Sequence, residues 1–581
     1  MKKLLKFLIV FVTINSIYCD NSLETQKKDP SLLIVTLIRN KAHTLPYFFS
    51  YLEHQDYAKD RISLWFKSDH NEDDSIKITE AWINSTSHLY HNVQFYQEGA
   101  PRRRKTENNL YHWSDERYLD IIKMKEEAFD HGRKILADYI MFLDADVFLT
   151  NPSTLKTLIN LNLPVVAPLM KTESLYANFW GGMRENYFYK RTDEYMKIKK
   201  YEKVGETKVP LVNAVILIDL NNPKSKYLTH DKVKLISYDI NGSGQYNGPF
   251  DDMILLAKSA DYAGLGMYIS NSHNYGYMMA PIEHDSTFYV DKAQLTNVLG
   301  MIVNDLGELR VVDSMKDYLP KVRKTKMGLS KIFVINLERR KEKYLKLKKL
   351  ADIIGLEIER FVAVDGDTLT TDHLFDEGIR LIPEYENMFE KRPMRLGEIG
   401  CFLSHYKIWE HIVDYGLDEV LILEDDVVFQ HYFTQMTEAA LTEVRSLIKD
   451  YDLLYLGRSP LGKDGPSIKG SKLLREPGAS LTLSGYILTF EGARKLINTE
   501  PLKKMIPVDE FVGIMYDKHT NEFYKKYFPK RHLNVYAMDP PIVSVPEKGN
   551  NGWISDTENS KEIEDIEKLY VEVESKKKDE L

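Results

Sequence analysis

Cysteine is nearly absent: two in 581 residues, Cys19 and Cys401. With the first inside a segment that reads as a leader, no internal disulfide framework can form, which excludes a disulfide-stapled scaffold. Charge of one sign is lacking too. Seventy-eight Lys and Arg against 86 Asp and Glu leave a formal net charge of −8, so no global basic field points to nucleic acid. Glycine and proline number 30 and 22, which excludes a collagen-like or low-complexity chain. No apolar run approaches the ~20 residues needed to cross a bilayer. What is present, 43% hydrophobic, 28% charged and 11% aromatic residues, is enough for a sizeable core in two or three domains.

The two ends read as addresses. Met1-Lys2-Lys3 and an apolar stretch from Leu4 to Ile14, broken only by Lys6 and Thr13, precede the small residue Cys19 and a polar run. That is the pattern of a secretory signal peptide. Lys578-Asp579-Glu580-Leu581 matches the retention signal read by a receptor in the endoplasmic reticulum lumen. In that compartment Asn84 and Asn241, each followed two residues on by Thr86 or Ser243, are glycosylation acceptors.

Between the ends the chain repeats a plan. Ser31–Arg39 and Lys331–Arg339 are buried-strand patterns, and Asp138–Phe148 matches Glu419–Phe429 as an apolar strand, clustered carboxylates and apolar residues again. Ala214–Leu220 and Gly485–Phe490 follow, then Pro249-Phe250-Asp251-Asp252 and Pro507-Val508-Asp509-Glu510. Helical spacing over Ser114–Leu136 and Ile399–Tyr415 lies between the strands. The fold class expected is α/β, with a largely parallel, helix-covered sheet in each half. The organisation expected is 1–19 leader, 20–320 first domain, 321–330 linker, 331–555 second domain and 556–581 flexible tail.

Acids placed directly after a buried strand carry the chemistry. Asp144 and Asp146 are two apart, as are Glu424 and Asp426. In an extended segment that spacing puts both carboxylates on one face, able to hold a hard divalent cation that keeps positions open for phosphate oxygens. Asp425 is then free for another role. Ending a buried strand with uncompensated carboxylates would cost several kcal/mol. The alternative, a solvated or helix-capping cluster, is weaker for a pattern found twice.

The second half resembles glycosyltransferase family 25 through FVINLERRKEK (Phe333–Lys343), FVAVDGD (Phe361–Asp367), RPMRLGEIGCFLSHYKIWEHIV (Arg392–Val413), LILEDDVVF (Leu421–Phe429) and KMIPVDEFVGIMYDKH (Lys504–His519). The first half is similar to the companion domain of the animal procollagen galactosyltransferases through WSDERY (Trp113–Tyr118), DYIMFLDADVFLTNP (Asp138–Pro152) and YANFWGGM (Tyr176–Met183). This resemblance implies two tandem glycosyltransferase-A-like domains. It also implies Mn²⁺, and inverting transfer of galactose from UDP-galactose to hydroxylysine of procollagen in the endoplasmic reticulum. The expected partners are unfolded procollagen chains, the sugar nucleotide and the retention receptor; a homo-oligomer is left open. A glucosyltransferase using UDP-glucose on galactosylated hydroxylysine, and a non-catalytic lumenal binding protein, are the rivals.

For inversion one base must take the acceptor proton. Asp509 is the candidate, with Glu510 beside it as the alternative and a helix N-cap as the competing role for Asp509. Asn336, Arg339 and Arg340, and Arg39 and Asn40 in the first half, follow the leading strands where a nucleotide could sit. Arg395, Glu398 and His405 lie in the most family-like block. A third metal ligand is open between His532 and Glu547, with His284 or Asp285 in the first half. Cys401 reads as an apolar filler, Arg102–Lys105 as a solvated basic loop, and Tyr176, Phe179, Trp180 and Tyr187 as core or a sugar platform.

Overall fold

The structure, a computed structural model, describes residues 28–98, 102–238, 246–545 and, beyond these, 557, 560–563, 570, 571 and 573. The expected leader, Asn241, Glu547 and the expected retention signal at 578–581 lie outside the described residues. No helix among the described residues is long and apolar enough to cross a membrane. The chain is mixed α/β and divides into two compact units, one of residues 1–298 with 310–320, the other of residues 299–309 with 321–581. The long helix Phe288–Leu306 thus contributes to both.

The first unit is built on β1 (Leu32–Ile38), β2 (Ile62–Asp69), β3 (Asn92–Glu98), β4 (Tyr139–Leu143), β5 (Val147–Phe148), β6 (Val165–Pro168), β7 (Glu206–Val209), β8 (Val215–Asp219), β9 (Met267–Ser270) and β10 (Tyr277–Met278). Its eight-stranded sheet runs β7-β9-β6-β8-β4-β1-β2-β3, and β5 pairs with β10 as a separate ribbon. Two of its helices matter below, α1 (Asp115–Lys134) and α2 (Asp252–Tyr262). The strands read as unbroken apolar runs because both faces are covered. Leu33 and Val35 of β1 pack with Ile140 and Phe142 of β4 on one side, Leu32 and Ile34 with Met141 and Leu143 on the other.

The second unit uses β11 (Lys331–Asn336), β12 (Glu359–Val362), β13 (Glu419–Glu424), β14 (Val428–Phe429), β15 (Leu453–Pro460), β16 (Leu474–Arg475), β17 (Ser480–Thr489), β18 (Val535–Met538) and β19 (Val543–Ser544). The sheet order is β12-β11-β13-β17-β15-β18-β16, with β14 and β19 as the ribbon. From β1 and β11 outward the two sheets repeat strand for strand. β1 with β4 and β11 with β13 are parallel, then β8 and β17 run antiparallel to both neighbours, then β6 with β9 and β15 with β18 are parallel. The expected sheets were largely parallel. The reversed strands β8 and β17 instead make both sheets mixed, since each starts at the end of the sheet where its neighbour β6 or β15 finishes.

Helix α3 (Leu396–Tyr415) covers one face of the second sheet with Ile399, Phe402, Ile408, Trp409 and Ile412. It begins where the Glu398 carboxylate accepts the Arg395 backbone N–H at 2.7 Å and ends at Gly416, whose φ of 61° suits glycine. Helix α4 (Val508–Met515) packs beside it.

Candidate functional site

Strand periodicity decides where the acids of the second unit point. Val420 and Ile422 of β13 lie in the core under α3, while Leu421 and Leu423 face the opposite core. Continuing that alternation puts Glu424 on the α3 side. There it lines a cleft of about 510 Å³ together with Asp425, Asp426, Cys401, His405 and Asp509. Residues 363–367 form another wall, pressed against α3 so closely that glycine is needed on both sides. A Cβ on Gly366 would stand 2.4 Å from Leu396 O, and one on Gly400 would stand 2.7 Å from Val364 O. Ser404 ties the two together: its Oγ accepts the Val364 N–H at 2.9 Å and donates to Gly400 O at 2.7 Å.

The acids are not spaced along an extended strand as the sequence suggested. β13 stops at Glu424 and residues 425–426 form a turn; β4 likewise stops at Leu143 and residues 145–146 turn. A two-residue period therefore does not relate the paired carboxylates, and their convergence in the second unit comes from the turn at the cleft. Within that turn Asp425 accepts the Asn336 amide at 2.6 Å and faces Lys343 Nζ at 3.8 Å.

Several residues read as nucleotide contacts have other occupations. Asn336 is buried; its amide also donates to Arg340 O at 2.9 Å and its Oδ1 accepts Arg360 Nε at 2.7 Å. It holds the strand end and is not among the cleft's lining residues, nor is Arg340, which lies 3.8 Å from Glu342. Arg339 does line the cleft, paired to Asp365 at 2.7 Å. Arg395 turns to Glu562 at 3.3 Å, away from the cleft lining. Glu398 lines the cleft while clamped by Arg392 at 3.0 Å and bonded to the helix start.

At the opposite wall, α4 starts at Val508, one residue before Asp509. Asp509 is therefore in the first turn and does not cap the helix. Its carboxylate accepts the Thr482 N–H at 3.1 Å and the Glu510 N–H at 2.9 Å. Burial and the neighbouring Glu510 charge raise its pKa to about 6 against the pull of those two donors. Glu510, the alternative base, is 4% exposed and bonded to Tyr385 Oη at 2.6 Å and His519 Nε2 at 3.0 Å. Both of its oxygens are engaged, whereas Asp509 accepts only backbone N–H groups.

His405 is buried under the acids. Its Nδ1 lies 2.9 Å from the Tyr486 hydroxyl, which also accepts Trp409 Nε1–H at 3.0 Å, while Nε2 stands 3.6 Å from Glu424 Oε1. Cys401, one turn earlier, packs against the core as an apolar filler would and also lines the cleft. Burial and the nearby Glu424 charge hold its thiol protonated, well above the usual range. His532, one choice for a further metal ligand, is exposed and absent from the cleft lining. Lys343 and Thr482 are cleft residues that the sequence reading missed; only the basic run Arg339–Lys343 hinted at the first.

In the first unit, lysines stand among the acids. Lys41 Nζ is 2.8 Å from Asp146 Oδ2, and Lys125 of α1 is paired with the buried Asp252 of α2. Burial opposes the charge on Lys41, and Asp146 and Asp291 overcome it, so its pKa rises. Burial lifts Asp144 to about 7, with Lys125 pulling down and Asp146 pushing up. Asp251 caps α2, accepting Ile254 N–H at 3.0 Å. Arg39 lies inside an ion network with Asp69 at 3.4 Å and Glu107, and Asn40 shapes the loop, its Oδ1 accepting Glu72 N–H at 2.7 Å. Arg104 joins that network through Asp69 and Asp120 and is 4% exposed, which corrects the solvated reading for that residue alone, Arg102 and Lys105 being exposed. His284 and Asp285 are exposed, and His284 Nδ1 takes the Trp113 N–H at 3.4 Å. Asn84 is exposed on the helix Ser75–Thr86, with the Thr86 hydroxyl turned inward to Trp82 O at 2.8 Å. Tyr176 donates to Asn213 at 3.1 Å, and Phe179 is buried in packing with Tyr195. Trp180 meets Tyr189 edge-on, and Tyr187 packs on Tyr246.

Two family models match the chain: "Glycosyltransferase family 25, N-terminal domain" over residues 29–299 and "Glycosyltransferase family 25 (LPS biosynthesis protein)" over residues 329–459. The chain belongs to glycosyltransferase family 25. It is 46% identical over 544 residues to a glycosyltransferase 25 family member of Aedes aegypti, covering 93% of this chain and 88% of that one. It is 35% identical over 542 residues to procollagen galactosyltransferase 2 of Homo sapiens, covering 92% and 84%. Among solved structures it is similar to a mannosyltransferase of Pyrobaculum calidifontis in complex with GDP-Man and Mn²⁺, at 9% identity and a TM-score of 0.28 over 53% of this chain and 74% of that one, a likeness that carries no argument. As a family member the chain is a glycosyltransferase.

Proposed function

We propose that this glycosyltransferase moves galactose from UDP-galactose to hydroxylysine side chains of procollagen, with inversion, in the endoplasmic reticulum lumen, and that the second unit does the chemistry. The observation that carries this is one cleft holding Glu424, Asp425 and Asp426 on one wall and Asp509, its pKa raised to about 6, on another. Donor and acceptor identity are supported by the relatives named procollagen galactosyltransferase. The compartment is supported by the leader-like start and the terminal Lys-Asp-Glu-Leu.

The donor set fits a hard divalent cation: oxygen ligands from Glu424 and Asp426 at a cleft wall, with the buried His405 Nε2 lacking a hydrogen-bond partner among the described residues beside them. Manganese, when bound there, supplies positive charge against the diphosphate as it departs. Asp509 takes the acceptor proton as the hydroxyl attacks the anomeric carbon from the face opposite the leaving UDP. A pKa near the working pH suits that exchange. Arg339 and Lys343 add cationic side chains to the same cleft. The first unit, whose acids are engaged by Lys41 and Lys125, serves as the non-transferring half.

The test is to incubate purified protein with manganese, a hydroxylysine peptide and either UDP-galactose or UDP-glucose. Galactosyl peptide, lost when Glu424 and Asp426 are replaced, is the expected product. Glucosyl product alone, or no transfer from either donor, overturns the reading.

A further inference from the structure

Helix α3 carries Cys401 and His405 four residues apart, which places both on the face turned to the end of β13. Cys401 Sγ, His405 Nε2 and a carboxylate oxygen of Glu424 lie within 4.8 Å of one another. The His405 side chain is 1% exposed, and its Nε2 has no hydrogen-bond partner among the described residues although it faces Glu424 at 3.6 Å. A buried polar atom left without a partner is costly unless something fills the gap. The other ring nitrogen is held by the Tyr486 hydroxyl, itself fixed by Trp409. Metal-binding imidazoles are commonly oriented by such an outer contact.

We propose that Cys401, His405 and Glu424 form a three-ligand site for a borderline-soft divalent cation of the zinc class, and that filling it withdraws Glu424 from the hard cation used in transfer. The inference rests on the cleft being the transfer site, because Glu424 serves both. Thiolate and imidazole favour zinc over magnesium or manganese, which prefer oxygen. Zinc bonds of about 2.0–2.3 Å require the three donor atoms to close in by roughly 1 Å, a movement that side-chain rotation supplies. The thiol proton passes to solvent on binding. Nδ1 carries the imidazole proton and donates it in a hydrogen bond to the Tyr486 oxygen, leaving the Nε2 lone pair for the metal. The fourth position opens to the cleft. Free zinc would thereby act as an inhibitor of the manganese-loaded enzyme.

Cobalt is the probe, because a thiolate bound to it gives a near-ultraviolet charge-transfer band that no oxygen site produces. Titrating the full-length protein with Co²⁺ should produce that band. It should vanish in Cys401→Ser and persist in Cys19→Ser, and His405→Gln should weaken cobalt binding about tenfold or more. Circular dichroism checks that each variant is folded. In the unaltered protein, Zn²⁺ but not Mg²⁺ should protect Cys401 from alkylation by iodoacetamide, read by mass spectrometry. A missing band, a band that survives Cys401→Ser, or an alkylation rate unchanged by zinc overturns the site. If manganese-dependent transfer is intact without the band, this site alone falls. If the band appears and no sugar is transferred, the transfer reading falls and the metal site stands.

Discussion

Thr482 points its backbone N–H at Asp509 Oδ2, 3.1 Å away, from a left-handed conformation with φ of 62°. A β-branched residue resists that conformation, which costs of order 1–3 kcal/mol and persists only where surrounding structure imposes it. Here β17 and α4 impose it, for Thr482 lies in β17 and Asp509 in the first turn of α4. The N–H favours the ionised carboxylate, while burial and the Glu510 charge oppose ionisation. The balance sets the Asp509 pKa at about 6, so the carboxylate is mostly ionised at neutral pH and takes up its proton just below it.

Asp509→Asn should therefore reduce kcat for sugar transfer by roughly 10²–10⁴-fold, the usual contribution of a positioned base, with little change in donor binding. For the unaltered enzyme, kcat/KM should fall as pH drops below about 6, where Asp509 takes up a proton. The residual rate of the Asn variant should lack that limb. A pH profile that is the same in both proteins removes Asp509 from the base role.

The same group predicts a stability change of the opposite sense to the usual carboxylate. The folded pKa, about 6, lies above the ordinary value of 3.8, so the folded state holds the proton more tightly than the unfolded chain. The stabilisation is complete below about pH 3.8 and is lost as pH rises through about 6. Melting temperatures of the Asn variant, measured from pH 4.5 to 7.5, should gain on those of the unaltered protein across this window. A constant difference would show that Asp509 ionises normally.

Much of the fold was legible because both sheets are covered on both faces. The runs Leu32–Ile38 and Val420–Leu423 read as strands for that reason, and acids following them stood out. The repeat was legible for the same reason, since each unit needs the same buried strands in the same order. What the sequence could not carry were partners distant along the chain. Lys125 meets Asp252 from 127 residues away, and Arg104 meets Asp69 from 35. No local pattern announces such pairs, so the protein partners of Arg39, Asn336 and Glu398 were not legible in the sequence. His405 and Glu424 are 19 residues apart and meet because α3 lies across β13, a packing fact with no counterpart in spacing.

The two acid clusters should respond differently to mutation. Glu424→Gln with Asp426→Asn keeps size and shape at the cleft wall, so the protein should melt near its normal temperature while transfer falls by about 10²-fold or more. Asp144→Ala with Asp146→Ala leaves Lys41 without its 2.8 Å partner, and its melting temperature should drop by several °C. Differential scanning fluorimetry beside a transfer assay checks both. Equal melting losses in the two variants would mean that the second cluster is as structural as the first.

Lys125 and Asp252 offer the sharpest test of how the first unit is held together. Asp252 is buried and Lys125 largely so, and Lys125 also faces Asp144, so burial opposes its charge while Asp252 and Asp144 restore it. Lys125→Met removes the ammonium and leaves two carboxylates facing each other in the interior. Breaking a buried pair in this way costs about 3–5 kcal/mol. Asp252→Leu alone strands the lysine, which still has Asp144 nearby, and should cost less. Combining the two replaces the pair with apolar contact and should recover most of the loss, because desolvation of both charges is relieved together. Urea unfolding of the three variants measures the coupling directly. Additive losses would mean that the two side chains act independently, and that the acids of the first unit are neutralised by something other than Lys125.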